Sequence, residues 1–93
     1  MAVVVHVALT ANLEREVESS RDHTEIGFLH KGNVPDPVYV RTDGPIATVN
    51  GDGAYTVLPG QQRWVPRLQS SGTPTKVSVI SAGAANIEVE FSP

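Results

Sequence analysis

The chain has 93 residues, 40% apolar and 5% aromatic, with a formal net charge of −3 and no cysteine. Such a length fits a single domain, expected over residues 1–93, that buries roughly 60–65% of its unfolded surface and has no room for a cleft between domains. The acidic balance argues against a nucleic-acid or anionic-membrane partner, and the missing cysteines exclude disulfide staples, thiolate metal sites and cysteine nucleophiles.

No apolar stretch approaches the roughly 20 residues that span a bilayer. Met1 to Leu9 is apolar with no Lys or Arg before it, which reads as a strand and not as a signal peptide. Val3, Val5, Val7 and Leu9 share one face of that strand, and its β-branched richness predicts cover on both sides for part of its length. Leu13 to Ser19 is ambiguous, because Asn12 could cap a helix that stacks Leu13 over Val17. A helix would scatter Glu14, Glu16 and Glu18 around its circumference, whereas a strand places all three on one solvated face, and the strand is favoured. After a polar loop, Glu25 to His30 reads as a strand with Ile26 and Phe28 inward. Pro35 and Pro37 then forbid a helix through the next loop.

The centre of the chain is VYVRTDGPIATVNGDGAYTVLPGQQRWVPRL, residues 38–68. Val38 to Thr42, Ala54 to Leu58 and Gln62 to Val65 have strand character. They are cut by Asp43-Gly44-Pro45, Asn50-Gly51-Asp52-Gly53 and Leu58-Pro59-Gly60, where Gly, Asn, Asp and Pro supply turn conformations. Pro66 ends the third run or marks an edge. A Ser/Gly/Thr/Pro loop leads to a strand over Thr75 to Ser81, and a last strand alternates Ile87, Val89 and Phe91 with Glu88 and Glu90, whose charges would discourage edge-to-edge aggregation. About eight short strands without a helix predict an all-β fold, a small antiparallel β-sandwich or barrel. The expected inward set is Val3, Val5, Val7, Leu9, Val17, Ile26, Phe28, Val38, Val40, Tyr55, Val57, Val77, Val79, Ile87, Val89 and Phe91.

Little in the sequence carries chemistry. His6 is expected on an outward position, with His23 and His30 beside loops, so no close-spaced zinc ligands appear. Asp43, Asn50 and Asp52 lack the spacing and closing Glu of a calcium loop, which leaves at most a weak loop site. Ser19, Ser20, Asp22 and His23 contain triad residue types but read as a polar loop, since a triad joins residues distant in sequence. No phosphate loop or dinucleotide fingerprint occurs, and neither an enzyme nor a cofactor is expected. Trp64, the only tryptophan, is flanked by Arg63 and Arg67. Two readings stay open for it: a core or barrel-end residue, or an interface anchor with Arg63 and Arg67. Tyr39 and Arg41, on one face of a nearby strand, would extend such a patch, and exposed Trp64, Tyr39 and Tyr55 would also suit a carbohydrate-binding or adhesion module.

The stretch HKGN..DPVYVRTDGP.ATVNGDGAYTVLPG followed by TKVSVISAGAANIEVEF, within residues 24–91, resembles small structural proteins of tailed bacteriophages, notably those infecting actinobacteria. The shared features are turn-and-strand patterns, so they imply a fold more than an activity and carry over no catalytic residue. The resemblance implies a virion protein, foremost a capsid decoration protein that binds the outside of the major capsid protein shell. Self-association is then expected, with a trimer at the local three-folds as a natural form. Such a protein would be made in the host cytoplasm and end on the capsid exterior. Placement at the neck, tail or fibre base is the alternative within the virion.

Overall fold

The computed structural model describes residues 3–19, 25–66 and 75–91. These hold eight strands: β1 (Val3–Ala8), β2 (Arg15–Ser19), β3 (Glu25–His30), β4 (Val38–Arg41), β5 (Tyr55–Val57), β6 (Gln62–Pro66), β7 (Thr75–Ser81) and β8 (Asn86–Phe91). All pairings are antiparallel. One sheet has the order β1-β8-β3-β6 and the other β2-β7-β4-β5.

A single rule underlies both orders. The first strand pairs with the last, the second with the seventh, the third with the sixth, and β4 with β5. The chain is thus one long antiparallel ribbon, doubled back between β4 and β5 and rolled up so that successive ribbon segments fall in alternate sheets. The contacts β3–β8 and β4–β7 close each sheet. This is the jelly-roll, or double-stranded β-helix, arrangement, a sandwich in which both sheets bury one face. The expected all-β sandwich of about eight strands is therefore what the chain forms.

The alternation of β-branched and polar residues decides which side faces in. Ile26, Phe28, Val38, Val40, Val57, Val79, Val89 and Phe91 are buried between the sheets together with Val7, Leu9, Val17, Val77 and Ile87. Val65 and Ala85, not in the expected inward set, complete this core, while Val5 and Tyr55 pack against it only partly buried. Val3 lies opposite Phe91 in the register.

The outer face of the second sheet has its own cover. Residues 45–54, at the tip of the ribbon, fold over it, and Ala47, Val49 and Ala54 pack on Tyr39 and Ile80. Ser78 pins this flap: its Oγ accepts the Ala47 N–H at 2.8 Å and donates to Glu14 Oε2 at 2.6 Å. Glu14 thus precedes β2 and turns to Ser78, while Glu16 and Glu18 stay on the solvated side as expected.

Three sequence expectations change. Val4, His6 and Ala8 are exposed, so β1 is covered on one side alone. The acidic β8 is an inner strand between β1 and β3, so Glu88 and Glu90 do not guard an edge. His30 is fully buried and not merely beside a loop. Its Nδ1 accepts the Gly32 N–H at 2.9 Å, so its proton sits on Nε2, which donates to the Asp36 carbonyl at 2.8 Å. Gly32 holds φ at 78°, a conformation that a side chain would strain.

Candidate functional site

Among the described residues no segment folds over the outer face of the first sheet. Register places Val4, Glu90, Gly27 and Trp64 in one row across it, and His6, Glu88, Leu29 and Gln62 in the next. Val4 is 47% exposed and Trp64 44%. The core reading of Trp64 is therefore overturned, because its neighbour Val65 takes the inward position in β6.

Trp64 lies in an unusual way. A Cβ built on Gly27 would sit 3.0 Å from Cζ2 and Cη2 of the indole and 3.1 Å from Cδ2. Cδ2 and Cη2 are opposite corners of the six-membered ring, so equal distances put that point over the ring centre. The indole thus rests flat on the Gly27 backbone, a cross-strand arrangement in which an aromatic ring covers a glycine that has no side chain to pack. One ring face is used up and the other is turned to solvent. An open indole face of this kind can stack a planar or C–H-rich group, or a cation.

The surroundings are acidic. Glu25, Glu88 and Glu90 lie on this outer face. Lys31 Nζ meets Glu88 Oε2 at 2.5 Å, and His6 Nδ1 lies 3.7 Å from Oε1. The Lys31 hydrogen bond holds the Glu88 carboxyl below its ordinary value of 4.5, against a smaller upward push from burial. A shallow depression of about 310 Å³ lined by His6, Ala8, Lys31 and Asn86 adjoins this pair.

The other candidates are dispersed. Arg63 points inward and closes the side of the sandwich between β6 and β5: its Nη1 donates to the Thr56 carbonyl at 2.9 Å and its guanidinium lies 5.1 Å from the Tyr55 ring centroid. Tyr39 and Arg41 belong to the second sheet, so they do not extend a patch around Trp64. Tyr39 is buried under the flap. Arg41 clamps Asp43 through two bonds, at 2.9 and 2.6 Å, and donates to the Asp52 carbonyl at 3.0 Å. The same clamp takes up the Asp43 carboxylate that a loop cation would need, and the Arg41 hydrogen bond holds that carboxyl below its ordinary value of 3.8, with burial opposing. Among the described residues no group of three or more His, Asp or Glu is placed to hold a metal. Arg67, and the cluster Ser20, Asp22 and His23, lie outside the described residues.

The residues that the sequence reading left out of the patch are Val4, Leu29, Gln62, Glu88 and Glu90. Alternation within each strand marks them as outward. Only the order β1-β8-β3-β6 makes them neighbours.

No protein-family pattern matches this sequence, and neither does any curated protein. Among solved structures, the chain is similar to a de novo designed double-stranded β-helix determined by NMR in solution, at 19% identity and a TM-score of 0.53, over 97% of this chain and 94% of that one. That likeness concerns the fold alone, and it agrees with the rolled ribbon described above.

Proposed function

We propose that this chain is a structural protein of a phage virion, foremost a capsid decoration protein that docks on the major capsid protein through the outer face of its first sheet. The observation that carries this reading is the flat, half-exposed Trp64 on an open sheet face. Exposed Trp is costly to leave in water and is enriched among residues that anchor protein interfaces. Two further points support it. The space between the sheets is filled with Val, Ile and Phe, which leaves the surface as the working part of the described structure. The turn-and-strand resemblance over residues 24–91 points to small phage structural proteins, and eight-stranded jelly rolls serve in viral capsids, although fold by itself does not fix function. In this reading the protein has no catalytic role and is located on the capsid exterior after synthesis in the host cytoplasm.

The test is quantitative mass spectrometry of purified virions, with the Trp64→Ala variant compared in a capsid-binding assay. Copies in a simple ratio to the major capsid protein, and at least about a tenfold loss of binding in the variant, are expected for an anchor of this type. A handful of copies per particle would move the protein to the neck, tail or fibre base. Absence from virions would end the reading. The same open indole beside Gln62 and Glu90 favours one rival, a carbohydrate-binding module in which a sugar stacks on Trp64. A glycan array that lights up with the natural chain and goes dark with Trp64→Ala would establish that rival instead.

A further inference from the structure

The jelly roll has four outer strands, β1 and β6 in one sheet and β2 and β5 in the other. An outer strand exposes unpaired N–H and C=O groups that invite another strand, and proteins usually blunt them. Three of the four are blunted here. Along β6 the groups that point away from β3 belong to Gln62, Trp64 and Pro66, because His30 and Gln61 fix the opposite parity. Pro66 has no N–H, and its carbonyl accepts the Thr42 hydroxyl at 2.8 Å. In β5, three residues long, the Thr56 carbonyl is taken by Arg63. The β2 strand carries Arg15, Glu16 and Glu18, all exposed.

Among the described residues no such device protects β1. Leu9 donates its N–H to the Ala85 carbonyl at 2.9 Å, in register with the β1–β8 ladder. Since alternate residues of an antiparallel ladder face opposite ways, Val3, Val5 and Val7 bond to β8, and Val4, His6 and Ala8 direct their N–H and C=O outward. Among the described residues none receives them. The strand VVVHVA has no Pro, Lys, Arg, Asp or Glu, and its β-branched content favours pairing.

We propose that β1 pairs antiparallel with β1 of a second copy of this chain, about a two-fold axis at His6. The free groups are spaced symmetrically about His6, so two copies satisfy each other's with N–H···O=C bonds at Val4, His6 and Ala8. Val4 then faces the partner's Ala8 on the outer side and Val5 faces the partner's Val7 on the inner side, and the two first sheets become one continuous sheet. Each chain is acidic, yet among the described residues this edge brings no carboxylates together. The nearest, Glu88 on β8, is separated from its counterpart by three strand spacings, about 14 Å, which exceeds the screening length of about 8 Å at physiological salt. A two-fold pair differs from the trimer expected from the phage resemblance, and it stands or falls independently of the virion reading.

The experiment combines the mass in solution across a concentration series with amide hydrogen exchange. The expected result is a dimer that dissociates on dilution, with Val4, His6 and Ala8 amides protected in the dimer and fast in the monomer. His6→Pro, which removes the central donor at a strand edge where Pro is tolerated, should give a monomer whose thermal unfolding curve matches that of the natural chain diluted to its monomer. Val4→Lys with Ala8→Lys, which sets Lys against Lys across the axis, should do the same without touching the backbone. The proposal is overturned by a chain that stays monomeric up to about 1 mM. It is equally overturned by a three-fold assembly, by any assembly whose Val4, His6 and Ala8 amides exchange freely, or by a folded Lys variant that still dimerises like the natural chain.

Discussion

At Gly27 a missing side chain decides where the indole of Trp64 lies. An added Cβ would press into the ring at 3.0 Å, and a half-exposed Trp64 can yield by lifting off the sheet. Gly27→Ala alone is therefore expected to leave stability within about 1 kcal/mol, as the gain from a stiffer unfolded chain offsets the lost ring contact, while Trp64 fluorescence shifts to longer wavelength. In a Trp64→Ala background the same substitution should stabilise by about 0.4–1 kcal/mol. Chemical denaturation of the four species of this double-mutant cycle measures the coupling, and a zero coupling would show that the ring does not rest on Gly27. Trp64→Ala by itself removes a surface contact and leaves no core cavity, so its loss should stay well under the roughly 3–5 kcal/mol of a buried Trp. The sequence could not settle this position. Trp64 and Val65 are adjacent apolar residues in a short run, and either could have taken the inward side.

Among the elements, the flap of residues 45–54 depends on one hydroxyl. Ser78 satisfies the buried Ala47 N–H and the Glu14 carboxylate at once. Ser78→Ala orphans both and should destabilise the protein by about 1–3 kcal/mol, with the Ala47 amide becoming the first in the flap to exchange with solvent. The strands themselves were legible, because period-two alternation and turn residues act over a few positions. The ambiguous Leu13 to Ser19 segment is a strand over Arg15–Ser19, as favoured, and Glu16 and Glu18 keep the expected solvated face while Glu14 does not. The flap was not legible. Tyr39 and Ile80 occupy the polar-phase side of their strands, and only a loop brought from elsewhere in the chain buries them. The buried His30 was hidden for a related reason: its partners Gly32 and Asp36 belong to a loop whose path no periodicity reports.

At the scale of the molecule, the salt links give the acid response. Asp43 and Glu88 both titrate below their ordinary values of 3.8 and 4.5 because Arg41 and Lys31 bond their charged forms. A carboxyl whose folded value is depressed contributes stability above its unfolded value, and that contribution is lost as pH falls through the folded one. The contribution of these two pairs to the denaturant midpoint should thus be constant from neutral pH to about 5 and decline below about 4. Lys31→Met should weaken the part of that decline due to Glu88. Both pairs are partly exposed, so the effect should be small and shrink with added salt. The pairing of first strand with last has a mechanical consequence. Val3 lies opposite Phe91, and the two ends of the described chain leave the sandwich side by side. A pull applied between them loads the β1–β8 ladder one bond at a time, as a zipper is opened, before β2–β7 and β3–β6 feel any tension. Optical tweezers on a chain tethered at both ends should record peeling from the ends toward the β4–β5 tip at low force. The same fold held across its sheets, by a tether at Trp64 and one in the flap, should resist until the core gives way as a whole.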